Sequence, residues 1–201
     1  MCIMKEFWNE RYSDSEFVYG KQPNQFFKRA IDRMNPGKLV LPGEGEGRNA
    51  VYAAKQGWDV LAFDYSEEAK QKALLLAKEN EVNIRYEVSF AEDILLPEKE
   101  YDAAALVFVH LPKDIFIPFL QKIIKSLKSG GILIMELYSE KQLGRDSGGP
   151  KSKELLYNYD ELRSLLKGVN VDLLEEKEVI LEEGKYHRGE AMVIRAVATK
   201  K

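Results

Sequence analysis

The sequence predicts an α/β protein: a doubly wound, mainly parallel sheet of seven strands, closed by an antiparallel C-terminal hairpin. Three observations carry that expectation. Residues 39–50, Leu-Val-Leu-Pro-Gly-Glu-Gly-Glu-Gly-Arg-Asn-Ala, pass from an apolar strand through alternating glycines into a helical pattern. Strand-like and helical stretches then alternate as far as Tyr138, which implies parallel strands joined by crossover helices on both faces. Beyond Val169 the pattern changes to two long extended runs with no helix between them, and such neighbours pair antiparallel.

In chain order, two aromatic-rich stretches, Phe7–Tyr12 and Phe17–Gly20, precede a helix opened near Pro23-Asn24. They either cover the ligand crevice at the carboxyl ends of the strands or staple the N-terminal helix to the core. Strand-like runs follow at Lys38–Pro42, Trp58–Asp64, Ile84–Phe90, Tyr101–Val109 and Ile132–Tyr138. Between them, Ala69, Ala73, Leu76 and Ala77 recur at helical spacing, as do Phe116, Leu120, Ile123, Ile124 and Leu127. Ser66 ahead of Glu67 and Glu68 reads as an N-cap with acids in the first turn. Pro118 interrupts the later helical pattern, and Gly130-Gly131 stops it and leads into the fifth strand. The last two runs, Val169–Leu181 and Ala191–Thr199, flank a loop from Glu182 to Gly189. No repeat or linker divides the chain, so 1–201 reads as one domain, with 1–36 as a cap segment and 37–201 as the core.

With 201 residues, 45% apolar and 31% charged, the chain can bury a sizeable core. Its net charge of −3 comes with lysines scattered among glutamates, so no nucleic-acid partner is expected. The longest strongly apolar run, Ala103–Val109, is too short to cross a bilayer, and the N-terminus has no extended apolar stretch. A cytoplasmic protein with no membrane partner is expected, with a monomer favoured. The single cysteine, Cys2, excludes an intrachain disulfide and reads as a terminal thiol. No His/Cys/Asp cluster has metal-ligand spacing, and no metal is expected.

The glycine loop and Asp64 together have the anatomy of a nucleoside cofactor site. Glycines let the backbone approach the ligand, and an acid about 20 residues on takes the ribose hydroxyls. The segment Gly45–Ala50 matches the dinucleotide pattern GxGxxA, yet Glu44 and Glu46 stand within the loop. Carboxylates are poor neighbours for a pyrophosphate and acceptable ones for a cationic ligand. The loop therefore points to S-adenosylmethionine, whose sulphur is positive, rather than to NAD. The antiparallel hairpin at the end of the sheet argues the same way. On this reading Gly43 and Gly45 lie under the methionine and ribose, Asp64 accepts from both ribose hydroxyls, and Tyr65 flanks the adenine.

With these features in hand, the chain resembles the class I S-adenosylmethionine-dependent methyltransferases, which have a Rossmann-like fold. Within them it is most similar to the tellurite-resistance methyltransferase group, and also to thiopurine methyltransferases. The resemblance runs nearly end to end, through Phe7–Tyr12, Tyr19-Gly20, Gly43–Ala50, Gly57–Val60, Val109–Pro112, Gly148–Pro150 and Tyr186–Gly189. One departure is Pro42, which stands where the family commonly carries an acid before the glycines; Glu44 then takes over contact with the methionine amino group.

The resemblance implies further site residues. An acid in Ala91-Glu92-Asp93-Ile94, either Glu92 or Asp93, would bond the adenine amino group, with Ala91 lining the ring. Asn49, Ser66 and Val109 would complete the cofactor site. His110 would line the methionine end or serve as hydrogen-bonded structure. His187 and Arg188, in the hairpin loop, would bind and orient an anionic or oxygen-rich acceptor. Gly144–Pro150 reads as a lid, with Arg145 a second anion contact. The implied activity is methyl transfer to a small soft or anionic acceptor, tellurite, selenite or a thiol, releasing S-adenosylhomocysteine. The alternatives are an O- or N-methyltransferase of another small metabolite and a noncatalytic binder of the same cofactor.

Overall fold

A computed structural model describes residues 2–201, with side chains from Glu6 onward; the Cys2 thiol lies outside the described side chains. Seven strands form one sheet in the order β3-β2-β1-β4-β5-β7-β6. These are β1 (Lys38–Pro42), β2 (Asp59–Asp64), β3 (Arg85–Val88), β4 (Tyr101–Val107), β5 (Leu127–Tyr138), β6 (Val169–Glu183) and β7 (His187–Lys200). Strands β1 to β5 run parallel, and β7 lies antiparallel between β5 and β6. The order of the strands reverses between β1 and β4. Ligands of open α/β sheets bind in the crevice at that switch point, beyond the strands' carboxyl ends.

Alternation along β1 shows how the sequence builds two layers. Leu39 and Leu41 pack with Phe27, Ile31, Ala50 and Trp58 on one face, whereas Val40 packs with Phe63, Leu106, Phe119 and Ile123 on the other. Helices α2 (Gln25–Ile31) and α3 (Arg48–Lys55) belong to the first layer, and α5 (Lys113–Ser126) to the second. Helix α4 (Glu67–Glu79) starts at Ser66, whose hydroxyl accepts from Ala69 N at 3.1 Å, the cap expected from the sequence. Helix α1 (Cys2–Tyr12) packs against α4 across the crevice, and α6 (Tyr159–Leu165) lies under β6.

Several boundaries differ from those expected, and three have a clear physical reason. Helix α5 begins at Lys113 and continues through Pro118. Its buried Phe116, Phe119, Leu120 and Ile123 outweigh the one hydrogen bond that proline removes. The helix ends at Ser126, ahead of Gly130-Gly131, which instead serve the irregularity where β5 joins β4: Gly130 has φ +79° and a Cβ on Gly131 would lie 2.9 Å from Lys128 O. In the terminal hairpin the ladder continues to the pair Glu183–His187. Gly184, at φ +66°, turns the chain, so the connection is only Gly184–Tyr186 and His187 is a strand residue. A Cβ on Gly184 would fall 2.5 Å from Tyr19 C, and Lys185 N donates to Val18 O at 2.9 Å. The hairpin tip thus packs on the N-terminal segment.

Candidate active site

The loop after β1 is held by three acids with different tasks. Gly43, Gly45 and Gly47 have φ of +58°, +61° and +86°, a conformation that favours glycine. Gly47 starts α3 without a side chain to cap it. Glu44 does so instead: one carboxylate oxygen accepts from Asn49 N and Ala50 N, each at 2.7 Å, and the other from Asn49 Nδ2 at 3.2 Å. Burial raises its pKa to about 7 despite those donors. Glu46 turns to the N-terminal segment, accepting from Val18 N and Tyr19 N at 3.2 Å and from Lys72 Nζ at 2.7 Å. Both of its oxygens are thus committed to the segment that covers the crevice.

Asp64 ends β2. Its Oδ1 accepts from Ser66 N at 3.0 Å and its Oδ2 from Gly45 N at 3.3 Å, which leaves a lone pair free on each oxygen. Burial raises its pKa to about 6, against the pull of these amide donors. Tyr86, reaching from β3, donates to Gly45 O at 2.7 Å and fixes the loop from the far side. A Cβ on Gly45 would lie 2.7 Å from Tyr12 Oη, and one on Gly43 would lie 3.2 Å from Val109 Cγ2. The glycines therefore leave bare backbone between helix α1 and the end of β4.

The crevice has two adjoining lobes. A lobe of about 70 Å³ is bordered by Asp64, Tyr65, Ser89, Ala91, Val109 and Phe119. A larger lobe of about 580 Å³ is bordered by Glu44, Gly45, Asn49, Arg48, Tyr19 and His187, with Gly149–Ser152 and Leu155 across from them. Trp8, Tyr12, Gly43, Phe108 and His110 line both. The N-terminal aromatics thus cover the crevice rather than only stapling a helix. Phe108 holds φ +52° at the end of β4, a costly conformation for an aromatic residue. Its ring stacks on Tyr138 at 4.6 Å and meets His187 edge-on at 4.5 Å.

Several expected site residues are placed elsewhere. Arg188 is exposed and borders neither lobe, because adjacent strand residues face opposite sides and His187 faces the larger lobe. Arg145 pairs with Glu178 at 2.8 Å, although Gly149 and Pro150 of the same lid border the larger lobe. Glu92 and Asp93 are both exposed outside the lobes, on a turn whose carbonyls at Ala91, Glu92 and Ile94 are gathered by Lys122 Nζ. Ser66 spends its hydroxyl on the cap of α4 and on Asn9 Oδ1, at 2.5 Å.

The cations bordering the larger lobe are Arg48, Arg11 and Lys151. Arg48 Nη2 pairs with Glu183 Oε2 at 2.7 Å, both side chains buried. Burial alone would raise Glu183, but Arg48 and His187 outweigh it and hold its pKa at about 2. Glu183 also accepts from Asn24 Nδ2 at 3.0 Å; the same nitrogen donates to Glu136, which pairs with Arg195 at 2.6 Å. Arg11 donates to Tyr19 Oη at 3.0 Å and lies over the Tyr186 ring at 4.3 Å. Burial lowers the pKa of His187, whose Nδ1 is 3.5 Å from Glu183. Sequence reasoning did not single out Glu183; an acid four residues before a histidine across a Gly turn was the available signal.

The comparisons with known proteins agree with this geometry. The family model described as a methyltransferase domain matches residues 42–131. A tRNA (uracil(54)-C(5))-methyltransferase from Pyrococcus abyssi is 30% identical over 172 residues; the match takes in 80% of this chain but only 39% of that enzyme. TehB from Haemophilus influenzae superimposes with a TM-score of 0.73 at 17% identity, over 98% of this chain and 67% of that one. An S-adenosylmethionine-dependent methyltransferase from Methanosarcina mazei gives 0.71 at 16% identity, over 89% and 98%. Sheet order and glycine loop are those of the methyltransferase fold, and residues 42–131 carry the match to a methyltransferase domain. Its cofactor is S-adenosylmethionine, and the residues present fit it: bare backbone at Gly43 and Gly45, and a buried carboxylate with free lone pairs at Asp64.

Proposed function

We propose that this protein transfers the methyl group of S-adenosylmethionine to a small, soft acceptor, of which a thiol fits best. The supporting observation is the larger lobe itself: an aromatic-walled space of about 580 Å³ adjoining the Asp64 lobe through shared walls. Asp64 and Tyr65 would hold the nucleoside, and Glu44 with the Gly43–Gly45 backbone the methionine end. The bound cofactor supplies an already activated methyl group on a cationic sulphur. The chain's own task is to hold the acceptor in line, exclude water and receive its proton. His187, ringed by Tyr19, Phe108 and Tyr138 at 4.5 to 5.6 Å, would orient the acceptor.

Charge favours a thiol over an oxyanion. Arg48 is neutralised by Glu183, Arg11 is engaged by Tyr19 and aromatic faces, Lys151 Nζ donates to Arg145 O and lies 3.8 Å from Asp146, and Arg188 lies outside the lobe. Polarizable sulphur also gains from aromatic neighbours. Tellurite and selenite form the second reading, favoured by the likeness to TehB and by the two guanidiniums on the wall. The tRNA-modifying relative raises a third, but a net charge of −3 and a lobe enclosed by α1 and the lid favour a small molecule. Transfer of labelled methyl to aryl and alkyl thiols, tellurite, selenite, phenols and tRNA tests the ranking. Thiols should be methylated fastest; label found only on tRNA, or on nothing, would reject the proposal.

A further inference from the structure

Among the described residues, one buried side-chain nitrogen or oxygen has no hydrogen-bond partner: Nε2 of His110. The ring stands at the junction of both lobes, stacked on Tyr138 at 5.4 Å and near Tyr157 at 6.4 Å. Its other nitrogen, Nδ1, lies 3.2 Å from Leu155 O. A carbonyl oxygen only accepts, so Nδ1 carries the hydrogen and Nε2 presents a lone pair. Leaving a buried acceptor unmatched is costly, and the few such atoms in native structures mark strain, a catalytic role, or a bound water or ion. Of the cations on the lobe, Arg48 is already matched by Glu183.

We propose that His110 Nε2 is the atom that receives the acceptor's own hydrogen, so that the substrate enters as a neutral X–H nucleophile, a thiol before an alcohol or amine. This rests on the methyltransferase reading above and narrows it. The X–H···Nε2 bond turns a lone pair of X toward the transferable methyl. X forms the X–CH3 bond with that pair as the S–CH3 bond breaks and its electrons stay on sulphur; the X–H proton passes to Nε2 and leaves to water when the lobe opens. Burial holds the free imidazole neutral, with a pKa near 3, so it does not repel a cationic methyl donor. It still suffices as a base, because methylation turns a retained X–H proton strongly acidic. A fully ionised oxyanion has no hydrogen to offer, and would meet a lone pair.

The test is a titration of ¹⁵N-histidine-labelled protein, saturated with S-adenosylhomocysteine and held at about pH 5 so that the thiol keeps its hydrogen, with benzenethiol, phenol and aniline and with their methylated counterparts lacking X–H. Benzenethiol should move the His110 Nε2 resonance toward the hydrogen-bonded position, and thioanisole should not. In His110→Phe, affinity for benzenethiol should fall about tenfold with that for thioanisole unchanged; the resonance reading on the unaltered protein stands even if the variant does not fold. If no X–H probe moves Nε2, or thiol and thioether move it alike, the assignment to His110 is overturned while the methyltransferase reading survives. If S-adenosylhomocysteine itself does not bind, the methyltransferase reading fails first.

Discussion

Asp64 and Glu44 concentrate the electrostatics of the crevice. Each is buried, and burial raises them from ordinary values of 3.8 and 4.5 to about 6 and about 7. The folded chain therefore holds these protons more tightly than the unfolded chain. That contribution to stability is complete below the ordinary values and is lost as pH rises through about 6 and about 7. A cationic donor with ribose hydroxyls favours the ionised forms, so its binding near pH 6.5 should release protons. Calorimetry in buffers of differing ionisation enthalpy reads this directly, and S-adenosylhomocysteine, with a neutral sulphur, should release fewer. Equal release by the two ligands would remove Glu44 from the sulphur's surroundings. For Asp64→Ala, two hydrogen bonds to a charged acceptor are lost, about 3 kcal/mol in all, or roughly 100-fold in S-adenosylhomocysteine affinity. These two acids were legible because glycine spacing and strand ends locate them. The pairing of Arg48 with Glu183 was not, since their 135-residue separation in the chain gives no local signal.

At the scale of elements, the parallel half of the sheet was legible because period-two burial and crossover helices leave their patterns in the sequence. The start of β1 at Lys38 and the cap at Ser66 follow from local chemistry alone. The hairpin tip was less legible. Glu182–Gly189 is polar enough for a loop, yet cross-strand pairing with its partner extends both strands into it. That extension decides which way His187 and Arg188 face, so a short shift in a boundary decides which of the two borders the crevice. The N-terminal segment poses the converse case: its role was open in the sequence, and the link from Glu46 to Val18, Tyr19 and Lys72 settles its position. In Glu46→Ala, Lys72 would remain largely buried without its carboxylate. A loss of about 3 kcal/mol is expected, lowering Tm by roughly 6–12 °C. Limited proteolysis should then cut within residues 13–20 first; unchanged cleavage would mean that this latch does not hold the cover down.

Across the whole molecule, the crevice depends on parts distant in sequence meeting at one buried polar chain. Arg195 on β7, Glu136 on β5, Asn24 ahead of α2, Glu183 at the hairpin tip and Arg48 at the start of α3 are linked in that order. The chain ties the cover, the core and the hairpin together behind the larger lobe. Charge pairs in such positions add little net stability over apolar residues, but breaking one partner is expensive. Glu183→Ala would leave Arg48 buried beside Asn24 with no compensating charge, and should cost about 3–5 kcal/mol. The double change Arg48→Met with Glu183→Leu removes both charges together and should be near neutral in chemical denaturation. If the link serves only to hold the fold, the double variant keeps acceptor turnover. If it also shapes the lobe, stability returns while KM for the thiol rises. A double variant as unstable as Glu183→Ala would show instead that Asn24 and Glu136 need the Glu183 carboxylate, and that the whole chain of contacts stands or falls together.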